Sequence, residues 1–120
     1  MDKKEKKARK ERLSEHVNLG NGRFTDYEIE KLESLVQNRD KLDGTTKTCR
    51  FSYKTFDSKD TYRVDVEDTY TFRNAKNGMR IEQDVNKYWD DGQHDTDHKE
   101  YNTAREILNI VSKLFDKFGD

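Results

Sequence analysis

The sequence predicts an α+β fold of the order α-β-β-β-α, a three-stranded antiparallel meander with two helices on one face, plus a charged N-terminal arm. Three observations predict it. Between Thr46 and Trp89 the apolar residues recur at every second position, and on both sides of that stretch they recur every third or fourth. The chain is only 30% hydrophobic and 41% charged, but 11% of it is aromatic, which disordered chains lack. Its 120 residues suffice for one domain and a thin core of large side chains.

The N-terminal arm comes first. Residues 1–12 hold seven Lys/Arg (Lys3, Lys4, Lys6, Lys7, Arg9, Lys10, Arg12) against three acids, a net of +4. The whole chain carries -1, so the remainder carries -5, and a basic arm is joined to an acidic body. Ala8, Leu13 and Val17 make a sparse apolar stripe, and Asn18-Leu19-Gly20-Asn21-Gly22 reads as a break. The division expected is 1–22 as a flexible or helical arm and 23–120 as a single α+β domain.

The first helix of the body starts at Thr25, which caps it, with Glu28 completing a capping box and Phe24 stapling onto Ile29. Ile29, Leu32, Leu35, Val36 and Leu42 share a face, and Gly44 ends the helix. Strand one turns Cys49, Phe51, Tyr53 and Thr55 inward. Strand two turns Tyr62, Val64, Val66, Tyr70 and Phe72 inward, and strand three Met79, Ile81, Val85 and Trp89. Asp57-Ser58-Lys59-Asp60 and Asn74-Ala75-Lys76-Asn77-Gly78 supply the turns.

Partners must point the same way, which fixes a register. Thr55 opposite Tyr62 places Tyr53 by Val64 and Phe51 by Val66. Phe72 opposite Met79 places Tyr70 by Ile81 and Val66 by Val85. The row Cys49–Asp68–Gln83 is polar and predicts a bulge near Asp68 or a local opening of the core. The last helix is expected from an Asp97 cap with Glu100, along the stripe Tyr101, Ala104, Ile107, Leu108, Val111, Leu114, Phe115 and Phe118. Lys113 and Lys117 sit near its end and Gly119 stops it.

On the outward face this register gathers Asp65, Glu67, Glu82 and Asp84 into an acidic patch, with Arg50 and Arg80 as available neutralisers. Tyr88 projects nearby as an exposed aromatic, and Asp90, Asp91 and Asp95 follow. Such a patch can steer a basic partner. These eight residues are the expected partner-binding set.

No nucleophile motif, P-loop or zinc-protease motif is present, and Cys49 has no base that can be placed beside it. No enzyme activity is therefore expected. His94 and His98 are four apart, but Gly92 puts His94 in a loop and the calcium-loop pattern is missing, so neither metal nor cofactor is expected. One cysteine permits no intrachain disulfide, and no stretch is apolar enough to span a membrane, so a cytoplasmic setting is expected.

The order helix, three strands, helix is shared with double-stranded-RNA-binding domains. Those need lysines at the start of the last helix, where Asp95-Thr96-Asp97-His98-Lys99-Glu100 would repel phosphate. The function expected is a small binding protein whose acidic surface blocks a basic, nucleic-acid-handling partner protein. In size and charge it is similar to phage and mobile-element anti-defence inhibitors, anti-CRISPR proteins included. The alternative is a nucleic-acid-binding accessory protein acting through Lys3, Lys4, Lys6, Lys7, Arg9, Lys10 and Arg12. The unpaired sheet edges leave the oligomeric state open.

Overall fold

The computed structural model describes residues 2–75 and 78–115. The chain runs α1 (Lys3–Ser14), α2 (Asp26–Gln37), a short α3 (Arg39–Leu42), β1 (Thr46–Phe56), β2 (Thr61–Ala75), β3 (Gly78–Trp89), β4 (His94–Tyr101) and α4 (Ala104–Leu114). The strands form one antiparallel sheet in the order β1-β2-β3-β4. The α+β class holds, but the meander has four strands where the sequence predicts three.

The added strand is the segment expected to cap the last helix. Every residue of β4 except Tyr101 is exposed, so it carries no apolar alternation, and polarity alone fits an edge strand as well as a helix N-terminus. A hairpin turn precedes it. The Trp89 amide donates to the Gln93 carbonyl at 2.9 Å, and Gly92 supplies φ +93. A three-residue connection ending on a left-handed glycine joins two antiparallel strands naturally. The helix starts six residues later than the Asp97 cap would place it. Thr103 caps it, with Glu106 returning to the Thr103 backbone in a capping box. Lys117, Phe118 and Gly119 lie outside the described residues.

Helix α2 begins as the sequence predicts. The Glu28 amide donates to Thr25 Oγ1 at 3.1 Å, and the Thr25 amide donates to Glu28 Oε1 at 2.9 Å. The apolar run breaks at Asn38 and resumes in α3. Gly44, at φ +80, then turns the chain into β1 while its amide donates to the Phe72 carbonyl at 2.8 Å.

The β1–β2 register is the expected one, with Thr55 opposite Tyr62, Tyr53 opposite Val64, Phe51 opposite Val66 and Cys49 opposite Asp68. The β2–β3 register is shifted by two residues. Phe72 faces Ile81, Tyr70 faces Gln83, Asp68 faces Val85 and Val64 faces Trp89. Two physical gains favour the shift. Glu67 meets Asn86, which removes the like-charge confrontation with Asp84. Gln83, buried, meets Tyr70, and its amide is satisfied on both sides. Gln83 Nε2 donates to Tyr70 Oη at 3.0 Å, and Tyr101 Oη donates to Gln83 Oε1 at 2.6 Å. The ladder passes Asp68 residue for residue, so no bulge forms there. Instead a recess of about 380 Å³ opens beside Cys49 and Tyr70 under α4.

The core lies between the helices and one half of the sheet. Ile29, Leu32 and Leu35 from α2, and Ile107, Leu108 and Val111 from α4, meet Phe72, Met79 and Ile81. Leu13 and Val17 join the same cluster, so residues expected as a separate arm form α1 and its exit and are packed into the body. Lys6 pairs with Asp26 at 3.6 Å, and Arg9 pairs with Glu33. The cluster ends near Tyr70. Beyond it the sheet runs on, giving a molecule of 61 × 26 × 25 Å. The edges of the sheet are β1, which carries Lys47, Arg50 and Lys54 and no acid, and β4, which carries Asp95, Asp97 and Glu100 against Lys99.

Candidate functional site

Strand periodicity divides the sheet into two faces. Among the described residues, helices pack against one end of the inner face. Past the helices it presents Phe51 and Tyr53 on β1, Val64 and Val66 on β2, and Trp89 on β3, brought side by side by the pairings Phe51–Val66, Tyr53–Val64 and Val64–Trp89. The central valines, Val64 and Val66, are buried. Phe51 and Tyr53 stay 49% and 40% exposed, and their rings stack at 6.3 Å. At this end lie both remaining turns, with Asp57 and Asp60 in one and Asp90 and Asp91 in the other, alongside Lys59 and Arg63.

The outer face carries the carboxylates. They do not form a bare array, which corrects the acidic patch inferred from the sequence. Glu67 accepts from Arg50 Nε at 2.9 Å. Asp65 accepts from Ser52 Oγ and from Arg63 Nε, the latter at 3.1 Å. Its acidity is raised first by the serine hydroxyl and then by the Arg63 charge. Glu82 accepts from Arg73 at 3.2 Å and Arg80 at 3.3 Å. Partial burial works against its ionisation, but the two arginines overcome this and hold its pKa below the usual range. Asp84 contacts His98 Nδ1 at 2.7 Å, and this hydrogen bond raises the histidine's pKa. The shifted register sets Asp84 opposite Thr69 and Asp65 opposite Tyr88, so these acids spread along the face.

Of the four other members of the expected set, Tyr88 stays beside Asp65 and the three aspartates lie elsewhere. Tyr88 is exposed on the outer face and stacks flat on His94, with centroids 4.5 Å apart. Asp90 accepts from the Arg63 amide at 3.3 Å, and Asp91 from the Gln93 amide at 3.0 Å, so both hold the turn. Asp95 faces Lys87 across the ladder and points to the inner side, away from Asp65 and Glu67.

Among the seven cations of α1, Lys6 and Arg9 are engaged by α2, and Lys10 lies 5.9 Å above the Phe24 ring. Among the described residues Lys3, Lys4, Lys7 and Arg12 make no ion pair. The inner-face aromatics form a surface that the sequence does not announce. Alternation places them inward, but nothing in it tells how far along a strand the helices reach.

No helix among the described residues is long and apolar enough to cross a membrane. No protein-family model, curated protein or solved structure matches the chain.

Proposed function

We propose that this chain is a non-catalytic binding protein that holds a partner protein on the half of its sheet that the described helices leave uncovered. The observation that carries the reading is the stacked, half-exposed pair Phe51 and Tyr53, beside Val64 and Val66 and outside the core that the described helices form. Large aromatics on a rigid support lose little entropy on binding and are enriched at interface hot spots. Contiguous apolar surface rimmed by polar groups marks interaction sites. Asp57, Asp60, Asp90, Asp91 and Asp95 supply such a rim, and their charge favours a partner with a basic surface. In its most specific form this is an inhibitor occupying the basic surface of a nucleic-acid-handling protein, the setting being cytoplasmic.

The test is affinity capture from host cells with the wild-type chain and with the double variant Phe51→Ser, Tyr53→Ser, followed by direct titration of the captured protein. The double variant is expected to bind at least about thirtyfold more weakly, some 2 kcal/mol, as loss of a hot spot does. Its thermal unfolding midpoint should stay near the wild-type value, because both side chains lie outside the main core. Undiminished binding by the double variant removes this reading.

A second reading rests on Lys3, Lys4, Lys7 and Arg12, the α1 cations that face solvent without an ion-pair partner among the described residues. If they hold phosphate, affinity for generic duplex DNA falls steeply between about 50 and 200 mM salt, by roughly one power of the salt concentration for each phosphate neutralised. Replacing the three lysines by Gln should then flatten that dependence. The first reading expects weak DNA binding that these replacements leave unchanged.

A further inference from the structure

We propose that Glu82, His98 and Glu100 form a binding site for a first-row divalent ion such as Zn2+ on the outer face of the sheet, a role separate from partner binding. His98 and Glu100 alternate along β4 and so project from the same face, and Glu82 stands directly opposite Glu100 on β3. One ligand-type atom from each of the three lies within 4.8 Å of the other two.

The histidine is oriented for the task. Asp84, opposite His98 on β3, takes Nδ1 at 2.7 Å and leaves Nε2 toward Glu100. A carboxylate on the far nitrogen is how metal-ligating histidines are usually held. The Nε2 to Glu100 Oε1 separation is 3.7 Å, too long for a good hydrogen bond. It is close to the roughly 3.4 Å between two ligands of a tetrahedral ion bound at about 2.0–2.1 Å.

Electrostatics points the same way. Glu82 and Glu100 face each other across the ladder, a like-charge pair that costs stability. Arg80 takes Glu82 Oε1 through both Nε and Nη2, while Arg73 Nε alone takes Oε2, so Oε2 keeps a second lone pair for an ion. Nothing comparable relieves Glu100, whose only ion-pair contact among the described residues is His98. An ion between the carboxylates would relieve both. One imidazole with two carboxylates favours zinc and its neighbours over calcium or magnesium, which prefer oxygen alone. The side chains of His98 and Glu100 are about half exposed, which leaves the fourth position to water.

The two arginines weaken the site, so the affinity expected is modest. Titration of the full chain with Zn2+ by calorimetry, with the histidine ring nitrogens followed by NMR, should give one saturable site and a shift of the His98 resonances. His98→Ala should weaken binding at least tenfold. Asp84→Asn should weaken it about tenfold, as loss of an orienting partner does. Cys49→Ala and His94→Ala should leave it unchanged. Asp84, His94 and His98 are exposed and Cys49 is a small, partly covered residue, so circular dichroism of each variant should match the wild type. No saturable binding at millimolar Zn2+, or binding that survives His98→Ala, overturns the proposal.

Discussion

Removal of residues 1–17 is expected to destabilise the domain by about 3–6 kcal/mol, enough to unfold much of it at 37 °C. Leu13 and Val17 are 3% and 2% exposed and belong to the main core cluster. Burial of two such side chains is worth about 1.5–3 kcal/mol each. Their removal also uncovers neighbouring core residues and deprives Glu33 of Arg9. A natural domain has only about 5–15 kcal/mol to lose. Urea unfolding followed by tryptophan fluorescence measures the effect. An unchanged midpoint would mean that α1 is a detachable appendage. By contrast, replacing Lys3, Lys4 and Lys7 with Gln should move stability by less than about 0.5 kcal/mol, because these residues are exposed. Any assay of the basic helix therefore needs charge substitution rather than truncation.

Phe72→Ala is the second large effect, expected at about 3–5 kcal/mol. Phe72 is fully buried and is the largest of the fully buried side chains. It lies opposite Ile81, and its backbone ties the loop before β1 to the sheet through Gly44 and Thr45. Removing the ring opens a cavity where α2, α4 and the sheet converge. The matched substitution Phe51→Ala should cost no more than about 1 kcal/mol, since half of that ring is already in water. Equilibrium unfolding of the two variants side by side is the measurement. Equal losses would mean that the far half of the sheet is as tightly packed as the near half.

Local chemistry is legible in the sequence, and long-range geometry is less so. The Thr25–Glu28 capping box and the β1–β2 register follow from short-range signals, a cap spacing and a four-residue turn, and both are present. The β2–β3 register is a choice between pairings two residues apart that keep every side chain on its own face. Alternation cannot separate these. The outcome turns on Gln83 reaching Tyr70 and Tyr101, and helical periodicity draws Tyr101 into the last helix instead. The fourth strand escapes prediction because its residues are polar on both faces. Asp90-Asp91-Gly92, preceded by Trp89, is the signal for it, since this is turn chemistry after a strand. Alternation puts the carboxylates of the outer face on the correct side. The arginines beside Glu82 and the histidine beside Asp84 become visible only once neighbouring strands are in register.

The rim of the sheet along β1 bears on behaviour in a crowded cell. An eleven-residue edge strand, with its outward-pointing backbone groups unpaired, would ordinarily invite a second copy to zip on. Two copies approaching there would bring Lys47, Arg50 and Lys54 against their own kind, with no carboxylate on that strand to answer them. Like charge at the seam discourages fibril-type growth and leaves the aromatic flank beside it open to a foreign guest.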